Sequence, residues 1–299
     1  MRRVAAVGLA LVALGPALVR SDWVVQRPTA VVRTGTFDRS VDESSGLAAS
    51  AAHPGLFWTL LDSGNDPEII AIDSAGRVHG RVLLGGSTNQ DWEAMTLGPC
   101  PAGTCVYVGD IGDNRGRRPS VVLYRVPEPD SSALGPDRVR RPAEAIRVEY
   151  PDGGRDAEAI LATPEGDLII VTKGLASSVK AYRVPASAWN AGRHRTVIAE
   201  DMGPLPIAPR TALGRWVTDA AVAPDGRRVA IRTYRDIFLF LFGRAGRLDP
   251  SEPPTLCDIS GLESQGEGIG WADDSTMILT SEGSRRAPGT IHYVRCTWP

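Results

Sequence analysis

The chain has 299 residues, a formal net charge of −2 and a pI near 6.1. That balance lacks the basic excess of a nucleic-acid-binding surface, and the length suffices for one large all-β domain. Gly 32 and Pro 23 with 6% aromatic residues suit many short strands joined by tight turns.

In chain order, a charged start, Met1-Arg2-Arg3, leads into an apolar run over 4–19. This is a secretory-signal pattern. The run is short for a spanning helix and is broken by Gly15-Pro16. No clear small-x-small cleavage site follows, so residues 1–22 read as a signal peptide or an uncleaved signal anchor. Any membrane attachment would run through that segment alone. No cysteine follows the run, so lipoprotein processing is not indicated. Residues 29–299 read as one domain, secreted or otherwise extracytoplasmic.

Residues 29–37 have strand character but belong to no unit of their own. A short acidic phrase then returns five times: Glu43-Ser44-Ser45-Gly46-Leu47, Asp91-Trp92-Glu93-Ala94-Met95, Asp156-Ala157-Glu158-Ala159-Ile160, Val217-Thr218-Asp219-Ala220-Ala221 and Gln265-Gly266-Glu267-Gly268-Ile269. Aligned on Ser45, Glu93, Glu158, Asp219 and Glu267, the gaps are 48, 65, 61 and 48 residues. Each phrase precedes a short apolar strand, a turn (His53-Pro54-Gly55, Pro164-Glu165-Gly166, Pro224-Asp225-Gly226) and a second strand rich in Val, Ile, Leu and Thr. Third strands fit 121–126, 179–184, 237–242 and 290–295. Fourth strands fit 78–84, 145–149, 196–199 and, less clearly, 255–258. The fifth unit ends after its third strand.

Repeats of this length with variable loops predict an all-β β-propeller of five four-stranded blades. The N-terminal strand supplies the missing outer strand and closes the ring. Six blades is the alternative, should 193–216 hold a further one. A two-sheet sandwich would leave the fivefold phrase unexplained.

Residues two apart on a strand share a face, and the innermost strands of a propeller line its central channel. The acids should therefore stack in two rings at one mouth: Glu93, Glu158, Asp219 and Glu267 with Ser45, and Glu43, Asp91 and Asp156 with Gln265. Asp62-Ser63-Gly64-Asn65-Asp66 and Asp110-Ile111-Gly112-Asp113-Asn114 follow equivalent second strands. Their counterparts are Lys173-Gly174, Arg232-Thr233 and Ser281-Glu282-Gly283. Unpaired carboxylates are costly to bury, and hard oxygen ligands in flexible geometry suit Ca²⁺. The expected metal ligands are Glu43, Glu93, Glu158, Asp219 and Glu267. Asp62, Asp91, Asp110, Asp156, Lys173, Arg232 and Glu282 are the expected contacts to a small-molecule or anionic ligand. In the opposing reading each carboxylate accepts backbone N–H bonds from a neighbouring blade and pins the ring. The Asp-x-Gly loops also fit Asx-turns with left-handed glycines. Arg115-Gly116-Arg117-Arg118 reads as a solvated loop, and Trp58, Trp92 and Trp271 as inter-blade packing. No Ser-His-Asp signature, P-loop or HExxH helix is present.

Four cysteines in an exported chain suggest disulfides. Cys100 with Cys105 would close a small loop, and Cys257 with Cys296 would tie the end of the chain back.

The phrases Asp91-Trp-Glu-Ala-Met, Val108-Gly-Asp-Ile-Gly-Asp-Asn114, Asp156-Ala-Glu-Ala-Ile, Val171-Thr-Lys-Gly174 and Gly266-Glu-Gly-Ile resemble a family of exported bacterial β-propellers sometimes labelled phytase-like. The resemblance spans nearly all of the chain from about residue 40. More distantly, Glu43-Ser-Ser-Gly-Leu47, Glu93 and Glu267-Gly-Ile269 are similar to inner-strand phrases of the calcium-activated nucleotidases (apyrases). These are five-bladed and hold Ca²⁺ in an acidic central cavity. Asp219 departs from their fourth phrase, and their Arg-rich nucleotide loops are not evident. The resemblance implies a metal, with a phosphoester or phosphoanhydride as the substrate if the protein is a hydrolase. The expectation is an exported monomeric propeller whose acidic, Ca²⁺-binding channel takes a small or anionic ligand. The alternatives are a Ca²⁺-dependent hydrolase of that class and a protein-interaction propeller with a structural acid ring.

Overall fold

The structure is a computed structural model describing residues 23–175, 178–191, 196–207 and 216–299. The expected leader, 1–22, lies outside the described residues, as do parts of the 193–216 segment.

Five sheets form a five-bladed β-propeller. From axis to rim, blade I holds Ser44–Ala49, Leu56–Leu61, Glu68–Asp73 and Val78–Gly85. Blade II holds Trp92–Cys100, Gly103–Asp110, Val121–Pro127 and Glu144–Glu149. Blade III holds Ala157–Ala162, Leu168–Thr172, Lys180–Val184 and Glu200–Pro204. Blade IV holds Val217–Val222, Arg228–Thr233, Asp236–Phe242 and Leu248–Asp258. Blade V holds Gly266–Trp271, Met277–Ser281, Thr290–Arg295 and, as its rim strand, Ala30–Thr36, which pairs Val31 with Val294 and Val32 with Tyr293. The N-terminal strand thus closes the ring, as the unpaired strand in the sequence predicts.

One strand lies elsewhere than expected. The segment predicted as the rim of blade III, 196–199, forms Thr196–Ile198, which runs parallel to Glu144–Glu149 of blade II. The rim of blade III is Glu200–Pro204. The cause is a recurring device. The strand just before the rim strand of one blade reaches back and adds, in parallel, to the rim of the preceding blade. Arg138–Pro142 adds to blade I and Thr196–Ile198 to blade II. Val24–Gln26, which precedes the rim strand of blade V, adds to blade IV. Among the described residues blades III and V have no such addition. The segments that would supply it are short turns, around Arg244–Gly246 and at Ala75-Gly76.

Alternate residues of a strand face opposite seams. In blade I, Ile69 and Ala71 pack with Trp58 and Trp92 against blade II, whereas Ile70 and Ile72 pack with Leu47, Ile278 and Ile291 against blade V. In blade III, Leu168 and Ile170 face blade II, and Ile169 and Val171 face blade IV. Among the described residues the core divides into five clusters, each spanning one pair of neighbouring blades. Strands buried on both faces explain why the second and third strands read as continuous apolar runs rather than alternations.

Both disulfides form. Cys100–Cys105 bridges the turn between the first two strands of blade II, with Cα atoms 5.8 Å apart. Cys257–Cys296, at 6.2 Å, joins the rim of blade IV to the end of the third strand of blade V. No helix among the described residues is long and apolar enough to cross a membrane.

A candidate cation site at the acidic mouth

The five inner strands start at one mouth of the channel and end at the other. Every one of them carries a β-bulge at the repeated phrase. The register to the second strand slips at Ser45-Gly46, at Glu93, at Glu158, at Thr218 and at Glu267-Gly268. A bulge leaves an extra residue unpaired and re-aims its side chain. This places buried polar groups around the axis: Ser45, Glu93, Glu158, Asp219 and Glu267 are all less than a tenth exposed.

These groups do not share one task. On blades I and II, Asp62, Asp91 and Glu93 each bring a carboxylate oxygen within 4.8 Å of the other two. No ion pair neutralises any of the three among the described residues. Ser45 Oγ donates to Glu93 Oε2 at 3.1 Å. Burial, with the charges of Asp62, Asp156 and Asp110, pushes Asp91 up to about 6 against the pull of Arg118. Burial, with Glu158, Asp62 and Asp91 nearby, raises Glu93 well above the carboxylate range.

Gly112 makes this convergence possible. A Cβ there would lie 2.5 Å from Asp91 Oδ2 and 2.7 Å from Glu93 Oε1. The left-handed glycine expected in these loops is present at Gly64, whose φ is 82°, with Asp62 Oδ1 accepting from Ser63 N. Gly112 is not in the left-handed region and is required by space alone.

The other carboxylates at the mouth have partners. Lys173 Nζ pairs with Glu158 Oε1 at 2.5 Å and lies 3.8 Å from Asp156 Oδ2. Burial lowers the Lys173 pKa, but Glu158, Asp156 and Glu93 outweigh it and hold the ammonium protonated. Asp156 Oδ1 accepts from Asp113 N at 2.8 Å, whereas its Oδ2 is buried without a hydrogen bond. Glu267 accepts from Tyr234 OH at 3.2 Å, and burial carries it up to about 7. Gln265 donates to Glu282, which burial and the charges of Glu267, Asp62 and Glu43 push up to about 8. Glu43 is exposed at the rim and accepts from Asn65 Nδ2 at 2.6 Å.

Asp219 lies deeper. Its Oδ2 accepts from Leu47 N of blade I at 3.3 Å and Ile269 N of blade V at 2.9 Å, and its Oδ1 from Ala220 N at 2.8 Å. The inner strand of blade IV also touches those of blades I and II. The channel is narrow at this level. Below it, the opposite mouth opens as an apolar cavity of about 270 Å³ lined by Leu47, Met95, Leu97, Ala221, Val222 and Trp271.

Two expected ligand contacts are turned inward. Arg232 is fully buried, donates to the carbonyls of Gly268 (2.6 Å) and Thr280 (2.9 Å), and pairs with Glu263. Asp110 is buried, accepts from the backbone of Gln90 and Asp91, and pairs with Arg118 at 2.8 Å. Glu263 and Tyr234 lie outside every expected site motif, whereas Asn65 belongs to the first Asp-x-Gly loop. Glu263 stands in the turn before the fifth phrase, and the buried Arg232 and His292, the latter at 3.1 Å, are what hold it there. A cleft of about 280 Å³ adjoins Asp91, lined by Gln90, Gly112, Asn114, Arg115, Arg117 and Arg118.

No protein-family model matches the chain, and no curated protein matches its sequence. The resemblance to phytase-like and nucleotidase propellers therefore has no counterpart in a family or sequence match. Among solved structures the fold is similar to an aldose sugar dehydrogenase from Streptomyces coelicolor in its PQQ-bound form. That pair shares 11% identity over 89% of this chain and 98% of the other, with a TM-score of 0.49. It is also similar to a catalytically inactive virginiamycin B lyase from Staphylococcus aureus with quinupristin, at 11% identity over 90% and 99% of the two chains and a TM-score of 0.41. U3-55K matches at 12% identity over 85% and 68%, with a TM-score of 0.41. Likenesses this distant carry no functional argument.

Proposed function

We propose that the acidic mouth binds Ca²⁺ on Asp62, Asp91 and Glu93, and that the bound cation presents an anionic small-molecule ligand to the protein. The observation that carries this reading is the convergence of three oxygens within 4.8 Å with no cation paired to them. Ca²⁺ bonds oxygen at about 2.4 Å, so oxygens on opposite sides of the ion lie about 4.8 Å apart. Both Asp91 and Glu93 are pushed toward the neutral form in its absence, the signature of charge awaiting compensation. Asp156, whose buried Oδ2 makes no hydrogen bond, adds its charge to that felt by Asp91. Arg115 and Arg117, lining the cleft beside Asp91, supply positive charge for the ligand's anionic part. The two disulfides fit work in an oxidising, exported setting.

Melting in CaCl₂ and in EDTA tests the reading. At a hundredfold excess over the dissociation constant, the ion stabilises by about 2.7 kcal/mol, roughly 4–5 °C for a chain of this size. Glu93→Gln should abolish the shift while leaving the EDTA melting temperature unchanged or higher. A wild-type protein indifferent to Ca²⁺ would sink the proposal.

Catalysis is the second reading. Glu267 and Glu282, near 7 and 8, sit where a carboxyl can exchange protons at neutral pH. Ca²⁺-dependent phosphate release from nucleotides, inositol phosphates or aryl phosphates would favour it. A calcium shift without release would favour ligand binding.

A further inference from the structure

Open sheet edges attract other strands, and proteins cover or charge them. Blades I, II and IV are covered by the added parallel strands. Blade III ends in Glu200-Asp201-Met202-Gly203-Pro204, whose charges, proline and irregular register against Lys180 and Tyr182 blunt it. Among the described residues blade V has no added strand, and the one irregularity in its rim register, between Arg33 and Gly35, falls at the far end of the strand. Its rim strand Ala30–Thr36 carries one charge, Arg33, and leaves Val31 and Val32 at 45% and 56% exposure. Four of the six large apolar residues exposed among the described residues are Val24, Val25, Val31 and Val32, all on this strand or the one three residues before it. Apolar exposure of this kind gathers at interaction surfaces.

The length of open edge suggests the occupant. At one end, the blade I turn seals the strand: a Cβ on Gly35 would lie 2.3 Å from Ala75 O. Among the described residues that leaves 30–34 uncovered, with Val32 at the centre. We infer that two copies of the chain pair edge to edge through residues 30–34, antiparallel, about a two-fold axis at Val32.

Antiparallel strands related by a two-fold must place one residue opposite its own copy. With the axis at Val32, Arg33 faces Val31 of the other copy and Ala30 faces Thr34. Valine meets valine, and no arginine faces itself. The two four-stranded blades V become one eight-stranded sheet, and the acidic mouths stay outside the contact. The inference is independent of what those mouths bind.

Light scattering on the eluting full chain, from about 1 to about 100 μM, tests this, because so small an interface is weak. The expected result is a concentration-dependent rise from the 31.9 kDa chain mass to twice that value. Val32→Lys sets like charges opposite each other and should weaken the dimer about 5-fold or more without lowering the melting temperature. Ile198→Lys, on the exposed edge of blade II, should leave it unchanged. The described residues hold no free cysteine, and cysteines opposite each other on paired strands lie about 4.5–5.5 Å apart at Cβ. Val32→Cys should therefore oxidise to a covalent dimer. A monomer across the whole range with no Val32→Cys cross-link overturns the proposal. So does Val32-dependent flotation of a monomer with phosphatidylglycerol vesicles, which would assign the valines to a membrane surface.

Discussion

The same phrase recurs on all five inner strands, yet the two sides of the ring use it in opposite ways. On blades I and II, Asp62, Asp91 and Glu93 converge with no cation between them. On blades III to V, each acid already has its partner: Lys173 for Glu158, backbone amides for Asp219, Tyr234 for Glu267. A bulge re-aims a side chain inward in every case, but what it meets there is decided by residues on the second strand and its following loop. A repeat in sequence therefore reports shared geometry and leaves open which copies hold the ring together and which await something from solution.

The sharpest way to break this contrast is at Asp219. Asp219→Ala strands three buried N–H groups, each worth about 1–3 kcal/mol, and should cost about 3–5 kcal/mol in urea or thermal unfolding. The Ca²⁺ shift should persist in whatever folds. Loss of the calcium response at full stability would mean that the two sides are not separate.

Gly112→Ala probes the other side. The added methyl competes for space with Asp91 and Glu93, so the roughly 4–5 °C calcium shift should vanish with little change in EDTA. A retained shift would place the cation elsewhere in the mouth.

The smallest expected effect is on pH. Burial first, then neighbouring charge, lifts Asp91 to about 6 and Glu282 to about 8, and burial lifts Glu267 to about 7. A raised carboxyl makes the folded state hold its proton more tightly than the unfolded chain. Its stabilising contribution is therefore complete below the ordinary carboxylate range, about pH 4, and is lost as pH rises through 6 to 8. In EDTA the melting temperature should fall by a few degrees from about pH 5 to about pH 8, and saturating Ca²⁺ should flatten the slope. Equal slopes with and without the ion would argue that these acids are satisfied by the protein alone.

Much of the fold is legible in the chain, because the repeated phrase and its strand grammar count the blades and the unpaired strand near residue 30 closes them. The added strand at Thr196–Ile198 is not legible. Three residues of β-prone sequence state that a strand forms, but not which of two neighbouring rims it joins. At the site, the acids and both Asp-x-Gly loops can be found by alignment. Their division of labour cannot, since Arg232 lies 31 residues from Glu263 and Asp219 reaches amides 172 and 50 residues away. The bulges escape too, because an extra residue in a short apolar strand looks like any other alternation slipped by one.

The added strand Val24–Gln26 lies on blade IV while the next strand, Ala30–Thr36, belongs to blade V. Cys257–Cys296 and Arg232–Glu263 span the same junction. A circle whose two chain ends meet is ordinarily weakest at the meeting point, but here that joint is buckled several times over. Under heat or pulling force, the first gap in the ring should open away from it, beside blade III, whose rim has no strap from its neighbour among the described residues.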